Sequence, residues 1–276
     1  MTDDHANIKD LAGKVAVLAG AGGPGMGRAT ARALSAAGAH VAILDINADA
    51  AAATADVIRS AGGSASSHVL DLTDASAVEG CFNDIFAAHK RFDILFNNTG
   101  VAPPAGLKLT EFAPEMWDRF IDLNLKSAFL GMRYAIPLMV QAGQGGAIVN
   151  NASSSGLRAN VSGAPYGVAK AGVIHLTKVA ALEYGPVGIR VNAVAPYSIS
   201  RRDALRPEGD DWMRPAPDAA DNPVWQNAQL PMMRSGKGFE VAAAVKFLVS
   251  DQASWITGAV IPVDGGSTAG YFGRVR

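Results

Sequence analysis

The stretch KVAVLAGAGGPGMG, residues 14–27, joins a short apolar run to a turn that contains five glycines. The apolar run predicts a buried β-strand over residues 14–19. Glycines in the turn permit positive φ angles and a close approach between the backbone and a ligand. A helix beginning near Gly25 would direct its free N–H groups at an anion such as a pyrophosphate. Taken alone, the turn is equally compatible with a cofactor cradle and with an ordinary connection.

Apolar runs alternate with helical patterns along the whole chain. Most of these runs are continuously apolar, as expected for a parallel sheet covered on both faces. This pattern predicts an α/β fold, a Rossmann-type doubly wound parallel sheet of about seven strands with helices on both faces. The further predicted strands cover residues 40–45, 67–72, 92–97, 146–151, 189–194 and 259–264.

No linker or internal repeat divides the chain, so we expect a single domain over residues 1–276. Residues 197–238 contain five prolines and two tryptophans and interrupt the alternating pattern. A long segment of this kind inside a compact α/β domain is usually functional. We therefore expect it to form a substrate loop or lid.

Composition excludes several classes of function. The net charge is −1 and no stripe of basic residues is present, which argues against a nucleic-acid partner. No apolar run is long enough to span a membrane, and the N-terminus is acidic, so we expect a cytoplasmic protein without a membrane partner. A single cysteine, Cys81, excludes an intramolecular disulfide, and the five histidines show no metal-ligand spacing. We expect Cys81 to be a small core residue.

The end of the second predicted strand carries Asp45, which lies 18 residues after Gly27. At this position a carboxylate accepts hydrogen bonds from an adenosine ribose, and its charge repels a 2′-phosphate. Asp45 therefore favours NAD over NADP, although an aspartate also commonly ends a strand. Arg28 is the residue that would favour NADP if it reached a 2′-phosphate; the alternative is that it packs on the following helix.

A second group of residues indicates acid/base chemistry. Tyr166 and Lys170 are four residues apart on a predicted helix and therefore share one face. An ammonium near a phenol lowers the phenol's pKa, which suits a general base near neutral pH. Ser153 follows the fifth predicted strand, where its hydroxyl could bond an oxygen whose charge changes during reaction.

These features together resemble the short-chain dehydrogenase/reductase family. The resemblance implies that Tyr166 is the acid/base, that Lys170 lowers its pKa and binds the nicotinamide ribose, and that Ser153 holds the substrate oxygen. The segments that carry the resemblance, besides the Gly-rich turn, are NNTG (97–100), DLNLKSAFLG (122–131), IVNNASSSG (148–156), YGVAK (166–170), IRVNAVAP (189–196) and WITGAVIPVDGG (255–266).

Two assignments keep alternatives. Ser154 and Ser155 are neighbouring candidates for the serine role, although the spacing to Tyr166 favours Ser153. By the resemblance, Asn124 anchors a water that links Lys170 to solvent. The alternative is that Asn124 satisfies buried backbone groups.

The resemblance implies an NAD-dependent enzyme that interconverts a secondary alcohol and a ketone by hydride transfer, as a homotetramer or homodimer. Apolar pocket walls suggest a cyclic or aryl-alkyl small-molecule substrate. Alternatives are an NADP-dependent 3-oxoacyl-type ketoreductase and a non-catalytic nucleotide-sensing or scaffolding protein. The expected cofactor contacts are Gly20, Gly25, Met26, Gly27, Asp45, Ile46, Asp71, Leu72, Asn98, Thr99, Gly100, Tyr166, Lys170, Pro196 and Ile199. The expected substrate pocket is formed by Ser153, Leu157, Asn160, Tyr197, Trp212 and Trp225, with Pro103 and Pro104.

The chain departs from the family pattern G-x-x-x-G-x-G, because Gly20 and Gly25 are five residues apart and Pro24 is inserted. Proline supplies no N–H to a phosphate, so the neighbouring amides must do so. We expect NAD binding to survive deletion of Pro24. Further along, Tyr197 stands where the family mostly has glycine, and Arg201 stands where a threonine commonly holds the carboxamide.

Overall fold

The computed structural model describes residues 10–102, 106–161, 163–200 and 230–270. Its centre is a seven-stranded sheet in which all neighbouring strands pair in parallel, in the order β3-β2-β1-β4-β5-β6-β7. The predicted Rossmann-type fold is confirmed. The strands are β1 (Val15–Ala19), β2 (His40–Asp45), β3 (Ser64–Val69), β4 (Ile94–Asn97), β5 (Gly146–Asn151), β6 (Ile189–Pro196) and β7 (Val260–Val263).

Helices connect the strands and cover both faces of the sheet. A π-helical turn, Asp122–Lys126, joins α4 to α5 in one continuous helical stretch. The α-helices of the described ranges are α1 (Met26–Ala36), α2 (Ala48–Ser60), α3 (Ala75–His89), α4 (Pro114–Ile121), α5 (Ser127–Ala142), α6 (Ser154–Leu157), α7 (Ala164–Tyr184) and α8 (Gly238–Val249). Single 3₁₀ turns cover Leu109–Glu111, Gly185–Val187 and Asp251–Ala253.

The core has two layers because successive residues of a strand point to opposite faces of the sheet. Leu18 and Phe96 lie in the layer that packs against α1 and α8. Val17 and Leu95 lie in the opposite layer, against α3 and α5. Each such side chain is fully buried, and burying a leucine or phenylalanine contributes about 1.5–3 kcal/mol. This double burial explains why the strands read as continuously apolar.

The third strand differs from the prediction over residues 67–72, which was wrong by three residues. In the structure Ser64 pairs with His40, and Val69 pairs with Asp45. β3 is an edge strand with partly exposed, polar residues, so it carries little apolar signal. Leu70 and Leu72 are buried beyond the strand's end. The sequence pattern correctly indicated that these two leucines are buried, but it placed them in the strand when they lie after its end.

Cys81 lies on α3 and packs, partly buried, against the core. Burial raises the pKa of its thiol to about 11, and the Asp84 carboxylate adds to this effect. The thiol is therefore protonated at neutral pH, as suits a packing residue.

Within the described ranges, no helix combines the length and hydropathy needed to cross a bilayer. In the same part of the chain, no group of three or more His, Cys, Asp or Glu side chains could hold a metal ion.

The order of the strands locates the site. Along the chain, the sheet grows from β1 to one side through β2 and β3, and then to the other side from β4 to β7. In sheets of this kind, ligands bind outside the carboxyl ends of the strands, at the point where the order reverses. That point lies between β1 and β4, directly at the Gly-rich turn.

Candidate active site

A cleft of about 820 Å³ opens at the carboxyl ends of the strands. It extends from the loop after β3, past the Gly-rich turn, to Tyr166 on α7 and the segment that follows β6. The structure brings every predicted cofactor contact to this cleft: Gly20, Gly25, Met26, Gly27, Asp45, Ile46, Asp71, Leu72, Asn98, Thr99, Gly100, Tyr166, Lys170, Pro196 and Ile199.

The first half of the Gly-rich turn is anchored to the end of β2. The amides of Gly20 and Ala21 both donate to the Leu44 carbonyl, at 2.8 and 3.3 Å. The amide of Gly22 donates to Asp45 Oδ2 at 2.9 Å. Gly20 has a φ of +78°, a conformation that favours glycine. These bonds fix the turn before the chain reaches Pro24.

The second half of the turn begins α1. Gly25 has a φ of 116° and caps α1 without a side-chain hydrogen bond. The first amides of a helix have no intrahelical acceptor, and here no capping side chain occupies them. Gly25, Met26 and Gly27 line the cleft. The inserted Pro24 thus lies between two anchored segments, and the helix N-terminus remains open to an anion.

Asp45 lines the cleft and also bonds to two backbone amides. Its carboxylate accepts from the amides of Gly22, at 2.9 Å, and Asn47, at 3.0 Å. Asp45 therefore does more than end a strand, because it connects the Gly-rich turn to the start of α2. Arg28 donates to Thr54 Oγ1 at 2.8 Å and to the Gly22 carbonyl at 3.3 Å. For Arg28, the structure therefore favours a side chain that packs against its neighbours over one that reaches into the cleft.

Lys170 is buried at the end of the sheet with 1% of its surface exposed. Its Nζ donates to the Asn151 carbonyl at 2.7 Å and to the Thr99 carbonyl at 3.0 Å. Burial lowers the pKa of its ammonium to about 7. Asn151 was not among the predicted site residues; its signals are its place as the last residue of β5, two residues before Ser153, and its presence in the segment 148–156.

Tyr166 lies one helical turn before Lys170 on α7, as its spacing predicts. The Nζ of Lys170 is 5.7 Å from the centroid of the Tyr166 ring. Burial raises the pKa of the Tyr166 hydroxyl, and a hydrogen bond with Ser153 opposes that rise. Ser153 is thus the contact that favours the phenolate, and desolvation outweighs it; a lowering of this pKa by Lys170 stays a prediction.

Among the three consecutive serines, Ser153 is the one that reaches Tyr166. It is buried at the N-terminus of α6, where its hydroxyl also accepts from the Ser155 amide at 3.1 Å. Ser154 is fully buried, and the Ser155 hydroxyl accepts from Asn160 Nδ2 at 2.9 Å. The geometry thus agrees with the choice of Ser153 that the spacing favours.

Asn124 lies in the π-helical turn between α4 and α5 and is 1% exposed. Its side chain accepts from the Val101 amide at 3.0 Å and donates to the carbonyls of Val101 and Phe120, at 3.1 and 2.9 Å. These bonds satisfy backbone groups, which is the alternative interpretation of Asn124. They fix the loop that carries Gly100 beside Lys170; a water linked to Lys170 stays a prediction. π turns occur frequently at functional sites.

The predicted substrate pocket is only partly assembled within the described residues. Ser153 and Tyr197 line the cleft, whereas Leu157 and Asn160 do not. The short helix α6 ends at Leu157, whose side chain is 41% exposed, and the roles of Leu157 and Asn160 in the substrate pocket stay predictions. Pro103, Pro104, Arg201, Trp212 and Trp225 lie outside the described residues, as does most of the predicted lid.

Comparisons with known proteins identify the family. A solved short-chain type dehydrogenase/reductase from Mycobacterium marinum superposes with a TM-score of 0.83 at 32% identity, over 95% of this chain and 98% of that chain. The family model described as enoyl-(acyl carrier protein) reductase matches residues 20–268. The chain belongs to the short-chain dehydrogenase/reductase family.

Two curated members of the family resemble the chain over nearly its full length. The 2,5-dichloro-2,5-cyclohexadiene-1,4-diol dehydrogenase of Sphingobium indicum is 38% identical over 262 residues, 95% of this chain and 100% of that protein. The cyclohexanol dehydrogenase of Acinetobacter sp. strain SE19 is 37% identical over 259 residues, 93% of this chain and 95% of that protein.

Membership of the short-chain dehydrogenase/reductase family implies a nicotinamide cofactor, and the residues present fit one. The cleft has the volume for a dinucleotide, and its lining runs from the loop after β3 to Tyr166. The α1 N-terminus offers uncapped amides at its centre. A Cβ at Gly100 would lie 3.0 Å from Lys170 Nζ, so glycine leaves room for the ammonium beside the loop.

Proposed function

We propose that this protein is an NAD-dependent oxidoreductase that interconverts a secondary alcohol and a ketone, with Tyr166 as the acid/base. The observation that carries the proposal is the meeting of Ser153, Tyr166 and Lys170 in one cleft with an open helix N-terminus. A cyclic, largely apolar substrate is supported by two relatives named for dehydrogenation of cyclic alcohols.

The chain's own groups suit the binding of such a cofactor along the strand ends. The amides at the start of α1 would hold the pyrophosphate, Asp45 the adenosine ribose, and Lys170 the nicotinamide ribose. When bound, the nicotinamide supplies the hydride acceptor for alcohol oxidation or the hydride donor for ketone reduction. The negative charge of Asp45 favours a free ribose over a 2′-phosphate, and Arg28 is engaged elsewhere.

In the oxidation direction, Tyr166 acts as a phenolate and takes the proton of the alcohol hydroxyl. The hydrogen of the carbinol carbon leaves as hydride, with both electrons of its carbon–hydrogen bond, and the carbon–oxygen bond becomes the carbonyl of the ketone. Ser153 donates a hydrogen bond to the reacting oxygen and orients it. In the reduction direction, the Tyr166 hydroxyl returns the proton to the developing alkoxide.

Lys170 supports this proton transfer from a fixed position. Two carbonyls hold its Nζ at the sheet end, so its location does not depend on the substrate. With its pKa lowered to about 7, the amine can gain and lose a proton in the neutral range. This property suits a group that exchanges protons near Tyr166.

The test is an assay of the purified protein with a panel of cyclic and aryl-alkyl secondary alcohols, following NADH absorbance. We expect NADH formation with at least one cyclic alcohol, and slower turnover with NADP. Titration of NADH and NADPH should give the lower Kd for NADH. No turnover with any alcohol and either cofactor would contradict the proposal; tighter NADPH binding would contradict its assignment of NAD.

A further inference from the structure

Tyr197 is the first residue after β6 and lies between two cavities. Its amide donates to the Val263 carbonyl of β7 at 3.3 Å, which fixes its backbone at the sheet edge. Tyr197 lines the catalytic cleft and also lines a second cavity of about 270 Å³, which we call the side cavity. Within the described residues, Ile199 is the other residue shared by both cavities.

The ring of Tyr197 is held by a cation. The guanidinium carbon of Arg158 is 5.5 Å from the ring centroid, within the range of a cation–π contact. Arg158 in turn donates from Nη2 to Ser267 Oγ at 2.7 Å, and Ser267 is 1% exposed. Backbone and side chain of Tyr197 are therefore both anchored, so the ring acts as a fixed wall.

The side cavity offers an apolar volume behind that wall. Its charged residues are already engaged: Arg234 forms two hydrogen bonds with Glu240, at 3.0 and 2.8 Å, and Asp264 accepts from the amides of Gly266 and Thr268. The remaining lining is largely apolar or backbone, from Ile199, Leu230, Met232, Pro262, Val263 and Gly265. Such a cavity suits an alkyl or aryl substituent.

We propose that Tyr197 is a specificity-determining residue, whose ring closes the catalytic cleft against the side cavity and limits the substrate to compact cyclic alcohols. The inference rests on the proposed function. Because Tyr197 lines both cavities, we expect removal of its ring to open one into the other. A substituent on the far side of a cyclohexanol ring then gains an apolar site.

The experiment compares cyclohexanol with 4-phenylcyclohexanol as substrates. Tyr197→Ala should raise the ratio of kcat/KM for the phenyl compound to that for cyclohexanol by about tenfold or more, since one extra apolar group in a fitting pocket is worth that much. Tyr197→Phe keeps the ring and should keep the wild-type ratio. Tyr197→Leu serves as a second truncation if the alanine variant folds poorly. Tyr197→Ala combined with Met232→Trp refills the side cavity and should restore the low ratio.

Melting temperature and NADH Kd are measured for each variant, because a merely structural role would change them along with both substrates. If the wild type oxidises cyclohexanol and the ratio is unchanged in both Tyr197→Ala and Tyr197→Leu, this inference is overturned. The proposed function then still stands. Equal losses for both substrates, or lost NADH binding, overturn it as well. A wild type inactive on every alcohol overturns the proposed function and this inference together.

Discussion

At the scale of single residues, the site places two titratable groups where burial acts on them in opposite directions. Burial raises the pKa of Tyr166 and lowers that of Lys170 to about 7, because desolvation disfavours both charged forms. The contact that favours the Tyr166 phenolate is the hydrogen bond with Ser153. In the proposed mechanism, the one proton of the Ser153 hydroxyl is donated to Tyr166 in the free protein and to the reacting oxygen once the substrate is bound.

This double role makes Ser153→Ala informative in its pH profile. Alcohol oxidation requires deprotonated Tyr166, so kcat/KM rises with pH through that group's pKa. Losing the Ser153 hydrogen bond raises this pKa, so the rising limb should move to higher pH. The maximal kcat/KM should fall by about 10²–10³, as for removal of a donor to a reacting oxygen. Ser254→Ala, on an exposed serine that does not line the cleft, is the matched control. If kcat/KM falls but the rising limb of the pH profile stays at the same pH, the effect assigned to Ser153 on the Tyr166 pKa is contradicted.

Asp45 gives a second prediction at this scale. Asp45→Asn removes the charge and keeps one of the two oxygens that accept from the Gly22 and Asn47 amides. The ratio of the NADPH Kd to the NADH Kd should fall by about tenfold, or 1.4 kcal/mol, because the repulsion of a 2′-phosphate is relieved. Fluorescence titration measures both constants. A ratio unchanged from the wild type would show that Asp45 does not select the cofactor.

At the scale of elements, the Gly-rich turn packs against the start of α8. A Cβ at Gly238 would lie 3.0 Å from both the carbonyl carbon and the oxygen of Gly25. Glu240 caps the start of α8 by accepting from the Lys237 amide at 2.8 Å, and it also pairs with Arg234. The α1 N-terminus is therefore positioned from two sides, by β2 and by α8.

Gly238→Ala should disturb this contact. Its Cβ meets backbone atoms that cannot move without moving the turn, so we expect a loss of about 1–3 kcal/mol in stability from overpacking. NADH binding should weaken several-fold. Gly80→Ala is the matched control, because Gly80 is helical on α3 and a Cβ there meets nothing within 4 Å. Thermal melts and NADH titration report the two effects, and equal behaviour of both variants would refute the coupling.

The strands and helices also show how much of the fold could be predicted from the sequence. Strands buried on both faces, such as β1 and β5, have a continuous apolar signal and were located to within one residue of their observed start. β3 was displaced because its register depends on pairing with β2, a long-range interaction invisible to a local pattern. The π turn at Asn124 was also missed, since its backbone shift leaves no residue signature.

For the site, side chains at strand ends were predictable and backbone partners were not. Ser153, Tyr166 and Lys170 follow from spacing and chemistry, and all reach the cleft. The carbonyls of Thr99 and Asn151 that hold Lys170 depend on how β4 and β5 lie side by side. Leu157 and Asn160 stay predictions, because the predicted substrate pocket also includes residues outside the described ranges.

At the scale of the whole molecule, a histidine cluster at one sheet edge links stability to pH. His40 bonds Ser64 Oγ at 2.7 Å, and its ring lies 4.2 Å from that of His89. Burial, followed by the neighbouring His89 and His68, lowers the pKa of His40 from 6.5 to about 4. The folded protein therefore keeps this imidazole neutral at the sheet edge.

The sign of the pH dependence follows from linkage. Between about pH 6.5 and pH 4 the unfolded chain binds a proton at His40 that the folded chain does not, so the free energy of unfolding should fall as pH decreases through this window. His40→Gln should flatten this slope while keeping a polar partner for Ser64. Urea unfolding at several pH values measures it. An identical slope in the variant would assign the acid sensitivity to other groups.

The measurement that tests the central claim most directly is the turnover of Tyr166→Phe, with the cyclic alcohol that the wild type oxidises fastest. Loss of the hydroxyl removes the proton acceptor and leaves the ring, so kcat should fall by about 10²–10⁴. The NADH Kd, measured on the same preparation, should stay within about twofold of the wild-type value, a change of only about 0.4 kcal/mol. Substantial turnover in this variant, with NADH binding intact, would contradict the assignment of Tyr166 as the acid/base.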